Sequence, residues 1–360
     1  MQGWLASLSG EVRRAMGENL VALVLGGGYG RGEGGVLRVS GEEQPYNDLD
    51  LVLVVRRKTA VPWDAIRRIQ HKYASLTGIE VDFSRPLTVD DIRGWPPTLM
   101  WSDLLQGHRV LDGDADILTA NAPDLQSDRL MPVEATRLLL NRGAGLLWAL
   151  YIARGCEPAP DQDFIRRNYY KCALALGDAL LISHGRFTTG YTGRGERLSQ
   201  LLDELPRAFP FDLLGLYEQA LTFKFWPGEQ AFTPAEPKLE ELASEWGQVL
   251  LLVESRRAHR EFRSAREYSD CHDVREPEQN TLARWPRNLV RNRQLGCWSL
   301  RHPRERLYRQ LPILLGLCEP PPNGVPSAPG SESPLTEPRP LGSGWPARSA
   351  GFLTVWKQVN

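Results

Sequence analysis

Hydrophobic positions along the chain follow two periods, and the change from one to the other divides it. In the first third the apolar runs are short. LVALVL at 20–25 and DLDLVLVV at 48–55 read as buried strands. GIEVDFS at 78–84 alternates apolar and polar residues as a half-buried strand does, and GHRVLDGD at 107–114 predicts a fourth strand. WDAIRRIQHKYASL at 63–76 places Ile66, Ile69 and Tyr73 on one helical face. The leading MQGWLASLSGEVRRAMG reads as a short amphipathic helix. This order leaves little room for crossovers and predicts a small mixed sheet with helices on one face.

From Val133 the helical period takes over. Long helices are expected from Pro132 to a stop at Gly155, over 163–185 ending at Gly185, and over 239–268. The stretch 130–318 is therefore expected to be mostly a helical bundle. Residues 319–345 are rich in Pro, Gly and Ser and read as a disordered linker. A short helix should follow, docking Phe352, Leu353 and Trp356 on the body. The expected class is α+β, with a sheet-containing core over 1–120, a helical domain over 121–318, the linker over 319–345 and the terminal helix over 346–360.

Composition narrows the setting. The chain has 360 residues, 42% hydrophobic and 24% charged, with a net charge of −1, so no overall field favours a polyanion. No apolar run reaches the length of a membrane span, and the N-terminus lacks a signal-peptide layout. Cys156, Cys172, Cys271, Cys297 and Cys318 are scattered, with no Cys-x-x-Cys pair, as reduced thiols of a cytoplasmic protein would be. Cys271-His272-Asp273 has no spaced partner and is assigned to a loop.

The chemistry begins at LGGGYGRGEGG, residues 25–35, where seven of eleven residues are glycine directly after the first strand. Such a turn lets the backbone bend sharply and come close to a phosphate. One register matches the dinucleotide fingerprint, and Asp50 lies near the distance at which that fold places its acid. The intervening VLRVSGEEQPYN is too short and broken for the crossover helix that fold requires. A P-loop lysine and the kinase signatures are absent.

NDLDLVLV separates the remaining possibilities. Asp48 and Asp50 are two apart on a strand, so both side chains leave one face while Leu49, Leu51 and Leu53 enter a core. Adjacent carboxylates are tolerable when a cation sits between them, and magnesium takes hard oxygen ligands together with substrate phosphates. Asp82, between apolar Val81 and Phe83, supplies a third acid on another strand, with Glu80 on the same face as its alternative.

A strand, a Gly27-Gly28 turn, Asp48-Leu49-Asp50 and a later acid at Asp82 together resemble the DNA polymerase β-like nucleotidyltransferase superfamily. The wording GGYGRGE is most similar to the loop of the uridylyltransferases that modify the PII protein. The resemblance covers about residues 18–115. Its one clear departure is the insertion GVLRVSGEEQPY between Gly28 and Asp48, a place for a hairpin or flap. The resemblance implies that Asp48 and Asp50 hold two magnesium ions, or manganese in their place. Asp82 would hold one of them and act as general base, and Gly27 and Gly28 would cradle the β- and γ-phosphates. It further implies a nucleotide lysine on a later helix, for which Lys171 stands in the right kind of context; a lysine lying along a half-buried helix reads the same way. Arg31, Tyr191 and Arg194 read equally as substrate contacts and as loop residues.

The expected function is transfer of a nucleoside monophosphate from a nucleoside triphosphate to a hydroxyl of a small molecule, protein or RNA, with release of pyrophosphate. The alternative is a catalytically weak nucleotide-binding or antitoxin-like module on the same fold. Residues 284–310 carry eight arginines and one acid with Trp285 and Trp298 interleaved, a composition that suits a nucleic-acid track. The near-neutral chain favours internal pairing of those arginines with the acid-rich 239–280 region instead. No membrane partner is expected.

Overall fold

A computed structural model describes residues 2–39, 41–206, 208–229, 232–318 and 344–359. All but the last two residues of the expected linker over 319–345 lie outside that set, as does residue 360. The chain is mixed α+β and divides into two compact units. The first comprises Met1–Met131, Gly185–Arg197 and Leu221–Ala231, the second Pro132–His184, Leu198–Ala220 and Phe232–Asn360.

Among its described residues the first unit holds six strands: β1 (Leu20–Leu25), β2 (Val36–Val39), β3 (Glu42–Pro45), β4 (Asp48–Val55), β5 (Glu80–Phe83) and β6 (Arg109–Asp112). Four form one sheet in the order β5-β4-β1-β6, and β2 pairs with β3 in a separate hairpin. β1 runs antiparallel to β4 and β6, whereas β5 is parallel to β4. A parallel neighbour needs a crossover, and the Trp63–Thr77 helix supplies it, closing on Gly78 in the left-handed conformation.

Both sheet faces are covered, which corrects the expectation of helices on one face. Leu23, Leu25, Leu51 and Leu53 pack with Leu5, Leu8 and Val12 of the first helix and with Ile66, Ile69 and Tyr73. Ala22, Val24, Val52 and Val54 pack on the other side with Ile92, Trp95, Ile117, Leu118 and Leu125. The reason is visible in β4 itself: from Leu51 onward it is apolar at every position, the pattern of a strand buried twice. Its charged residues, Asp48 and Asp50, precede that run, so the strand's charge is concentrated at one end of one face.

In the second unit the helices Val133–Ala153, Phe164–Ser183 and Glu236–Arg257 pack on one another. Gly143 leaves room for the buried Trp246, whose ring would lie 2.8 Å from a Cβ placed there. The indole Nε1 of Trp246 donates to the Leu139 carbonyl at 3.0 Å. The helix expected over 239–268 is two. His259 adopts a left-handed backbone (φ 50°) just past the end of the long helix, and the Ser264 side chain caps a new one, Ala265–Asp270. The last helix, Trp345–Val359, buries Phe352 and Leu353 within the unit, and Trp356 Nε1 donates to Asn141 at 3.2 Å. No helix among the described residues is long and apolar enough to cross a membrane.

Candidate functional site

The acids at the start of β4 meet those of β5 in register. Asp48 pairs with Glu80 and Asp50 with Asp82 along the parallel ladder, whose strands lie about 4.8 Å apart, so all four side chains project from one face. It is the face that carries Val52 and Val54 further along β4. Asp50, Glu80 and Asp82 are exposed and Asp48 is half-buried beside Asn47, whose side-chain amide donates to it. Among the described residues no three His, Cys, Asp or Glu side chains close on a point where a metal could sit. The donor set is nevertheless the hard-oxygen kind that magnesium and manganese take, and its members share one accessible face.

β1 delivers the glycine turn to the same place. Gly26 N–H donates to the Asp50 carbonyl at 2.8 Å, extending the ladder by one residue before the chain turns into a single helical turn, Gly27–Gly30. Gly27 is left-handed (φ 58°), and a Cβ there would fall on the Asp50 carboxylate. A Cβ on Gly28 would stand 2.9 Å from Lys224 Nζ and 3.1 Å from the Glu33 carbonyl. The two glycines are thus needed because an anion closes on one and a cation on the next. First-turn N–H groups have no partner within their own helix, and here they belong to Gly27 and Gly28.

Lys224 is the residue that sequence reasoning missed. Burial, followed by the like charge of Arg31, pushes its ammonium below the ordinary lysine range, against the pull of Asp48, Glu33 and Asp50. Its signal was a lone cation in the aromatic run FKFW (223–226). Lys171 lies half-buried on the Phe164–Ser183 helix of the second unit, whereas Lys224 belongs to the unit that holds the acids.

Arg31, read equally as a phosphate contact and as a loop residue, is paired with Glu33 and Asp103. Glu33 also accepts from Tyr191 N–H at 2.8 Å, and so ties the 185–197 segment to the glycine turn. The Tyr191 ring lies 4.3 Å from the Arg194 guanidinium and 6.0 Å from Lys224 Nζ. Arg194 itself is buried and donates to the carbonyls of Thr188 and Gly190 in its own loop.

No family model, curated protein or solved structure matches the chain. The site therefore rests on its own geometry.

The insertion between Gly28 and Asp48 is the β2–β3 hairpin, turning at Gly41 (φ 85°). Residues that would have to form a dinucleotide crossover helix form this hairpin instead. Tyr29 fastens its neck: the phenol donates to the Gly35 carbonyl at 2.7 Å and accepts from Tyr46 N–H at 2.7 Å. Burial pushes this phenol up to about 12, so it remains a donor through the neutral range. Gly34 lies on the Tyr29 ring and Gly35 against the Lys224 carbonyl, which assigns these later glycines to seating the hairpin. Arg38 of β2 stacks on Trp226, 4.2 Å from the ring.

Tyr29→Phe should therefore loosen the hairpin by about 1–3 kcal/mol, the cost of leaving buried backbone groups without a partner. Amide exchange over 36–46 should accelerate by about tenfold or more while the sheet strands keep their protection. Unchanged exchange in the hairpin would show that Tyr29 does not hold its neck.

Proposed function

We propose that the first unit is a nucleotidyltransferase site, which moves a nucleoside monophosphate from a nucleoside triphosphate to an acceptor hydroxyl. The observation that carries this reading is the parallel register of Asp48 and Asp50 with Glu80 and Asp82, beside a glycine turn that Asp50 and Lys224 approach from two sides.

In this reading the N–H groups of Gly27 and Gly28 receive oxygens of the β- and γ-phosphates, and the Lys224 ammonium neutralises part of their charge. The acceptor oxygen forms a bond to the α-phosphorus as the bridging bond to the β-phosphate breaks. Pyrophosphate departs with the electron pair, and the hydroxyl proton passes to the Asp82 carboxylate. Asp48 and Asp50 would hold two magnesium or manganese ions and Asp82 one of them. Such ions, when bound, supply charge stabilisation at the attacking and leaving oxygens. Arg31 and Glu33 act as positioning residues, fixing the glycine turn and Tyr191.

A second reading, nucleotide binding without turnover, is favoured by one feature: Lys224 already lies in the field of Asp48 and Asp50. The two readings separate on turnover. With α-labelled nucleoside triphosphates and fractionated cell extract, the transferase reading expects a labelled acceptor. It also expects that Asp50→Asn and Asp82→Asn each reduce labelling by about 100-fold or more, several kcal/mol of transition-state stabilisation. Metal-independent nucleotide binding in calorimetry, with no acceptor labelled, would establish the binding module instead.

Lys224 gives the site a pH signature. A triphosphate binds the protonated amine, so binding takes up protons wherever the amine is partly neutral and weakens as pH rises through its lowered pKa. Nucleotide affinity should fall at a lower alkaline pH than an ordinary lysine would allow. In Lys224→Arg that alkaline fall should disappear, because guanidinium stays charged. An identical alkaline fall in wild type and Lys224→Arg would remove the lysine from the account.

A further inference from the structure

The arginine-rich segment of the second unit is not matched by acids among the described residues as the near-neutral net charge suggested. Of its eight arginines only Arg304 meets a carboxylate among the described residues, Glu276 at 3.5 Å. The segment's one acid, Glu305, is buried and spent on the backbone N–H groups of Arg275 and Glu276, at 3.0 and 2.7 Å. Arg284 reaches the Gln279 amide oxygen, Arg291 the His302 ring, and Arg301 and Arg309 backbone carbonyls. Four of them, Arg284, Arg287, Arg293 and Arg301, are exposed.

These side chains belong to one built segment, with Arg284, Arg287 and Arg291 along one side of its helix and Arg293 about 120–180° round the helix from them. The Trp285–Gln294 helix turns Asn288 and Asn292 inward, and their amides bracket the following loop by its carbonyls: Asn288 to Leu300 at 3.1 Å, Asn292 to Ser299 at 2.9 Å and Arg301 at 2.7 Å. The loop is thereby held along the helix, with Trp298, Leu300 and Arg301 exposed and Cys297 buried. Arg284, Arg287 and Arg291 follow at i, i+3 and i+7, and the first two are close enough to push the Arg291 guanidinium down, next after its burial. Arg293 stacks on Trp298, 4.0 Å from the ring, yet Trp298 remains 53% exposed; Val290 and Leu300 of the same segment are exposed as well.

We propose that this segment binds a single-stranded polynucleotide, with phosphates on Arg284, Arg287 and Arg291 and bases stacked on Trp298. Charge complementarity selects a polyanion, since like-charged arginines that make no ion pair among the described residues attract an external counter-charge. The exposed indole selects unpaired bases over a duplex, because every base offers a face for stacking only when it is unpaired. The inference rests on the second unit alone and does not depend on the transferase reading of the first.

The test is fluorescence anisotropy of the full chain with labelled oligo(U) and oligo(dT) of about 16 nucleotides, and with a duplex of equal length, over about 50–200 mM salt. Single strands should bind more tightly than duplex, with affinity falling steeply with salt. Arg284→Gln/Arg287→Gln should weaken binding by about tenfold or more and make the salt dependence shallower by one to two ions. Trp298→Ala should cost about tenfold with the salt slope unchanged, and Trp298→Phe should retain most of the affinity. Thermal unfolding of each variant verifies that it is folded. The proposal is overturned by duplex binding as tightly as single strand, by folded variants binding like wild type, or by capture of polyglutamate or anionic vesicles with no binding of either oligonucleotide.

Discussion

Charge at the open end of a buried strand is the constraint on which the first unit depends. β4 is enclosed on both faces from Leu51 onward, and its first turn of side chains delivers Asp48 and Asp50 to the place where that enclosure stops. β5 brings Glu80 and Asp82 beside them in register. Four carboxylates on one face repel one another, and a sheet edge that carries them is stable only with compensating positive charge or generous water. Lys224 and the glycine turn are the structure's own answer. The lysine enters from a distant part of the sequence, and Gly28 leaves the space it occupies. The proposed metal and triphosphate extend that same compensation into chemistry.

That constraint also accounts for the hairpin. A turn made almost wholly of glycine has little to hold it in place, since each glycine gains freedom in the unfolded chain. Here Tyr29 provides the hold from within the turn, by gripping Gly35 and Tyr46 at the two ends of the insertion. Glu33 provides a second, through Arg31 on one side and Tyr191 N–H on the other. The insertion is thus part of how the glycine turn is fixed, and the residues that follow Lys224 complete its seat through the stack of Arg38 on Trp226.

Much of this was legible from local pattern, and the limits have physical causes. The four sheet strands and the crossover helix follow from runs whose period and length admit one reading. The shared face of Asp48 and Asp50 follows from the two-residue period of a strand. Pairing of Asp50 with Asp82 could be suspected from an acid between Val81 and Phe83, but its register depends on a crossover that sequence does not measure. Lys224 was missed because its partners lie nearly two hundred positions away. Lys171 was preferred because it sits in a cleaner helical pattern, which reports burial and says nothing about which charge is near. The break at His259 was hidden because ESRRAHREFRSAREY keeps the composition of a helix; a left-handed backbone and a serine cap divide it. The arginines of 284–310 were expected to find acids on the basis of whole-chain neutrality, and a net charge carries no information about where charges lie.

The central claim is that Asp48, Asp50 and Asp82, with the glycine turn and Lys224, form a site for a metal-bound triphosphate. Electron paramagnetic resonance of Mn²⁺ titrated into the protein, with and without a non-hydrolysable nucleoside triphosphate, tests it most directly. The account predicts protein-bound Mn²⁺ that tightens when the nucleotide is present and is lost in Asp48→Asn/Asp50→Asn/Asp82→Asn protein that still unfolds cooperatively. Equal Mn²⁺ binding by wild type and the folded triple variant, in the presence of nucleotide, would contradict it.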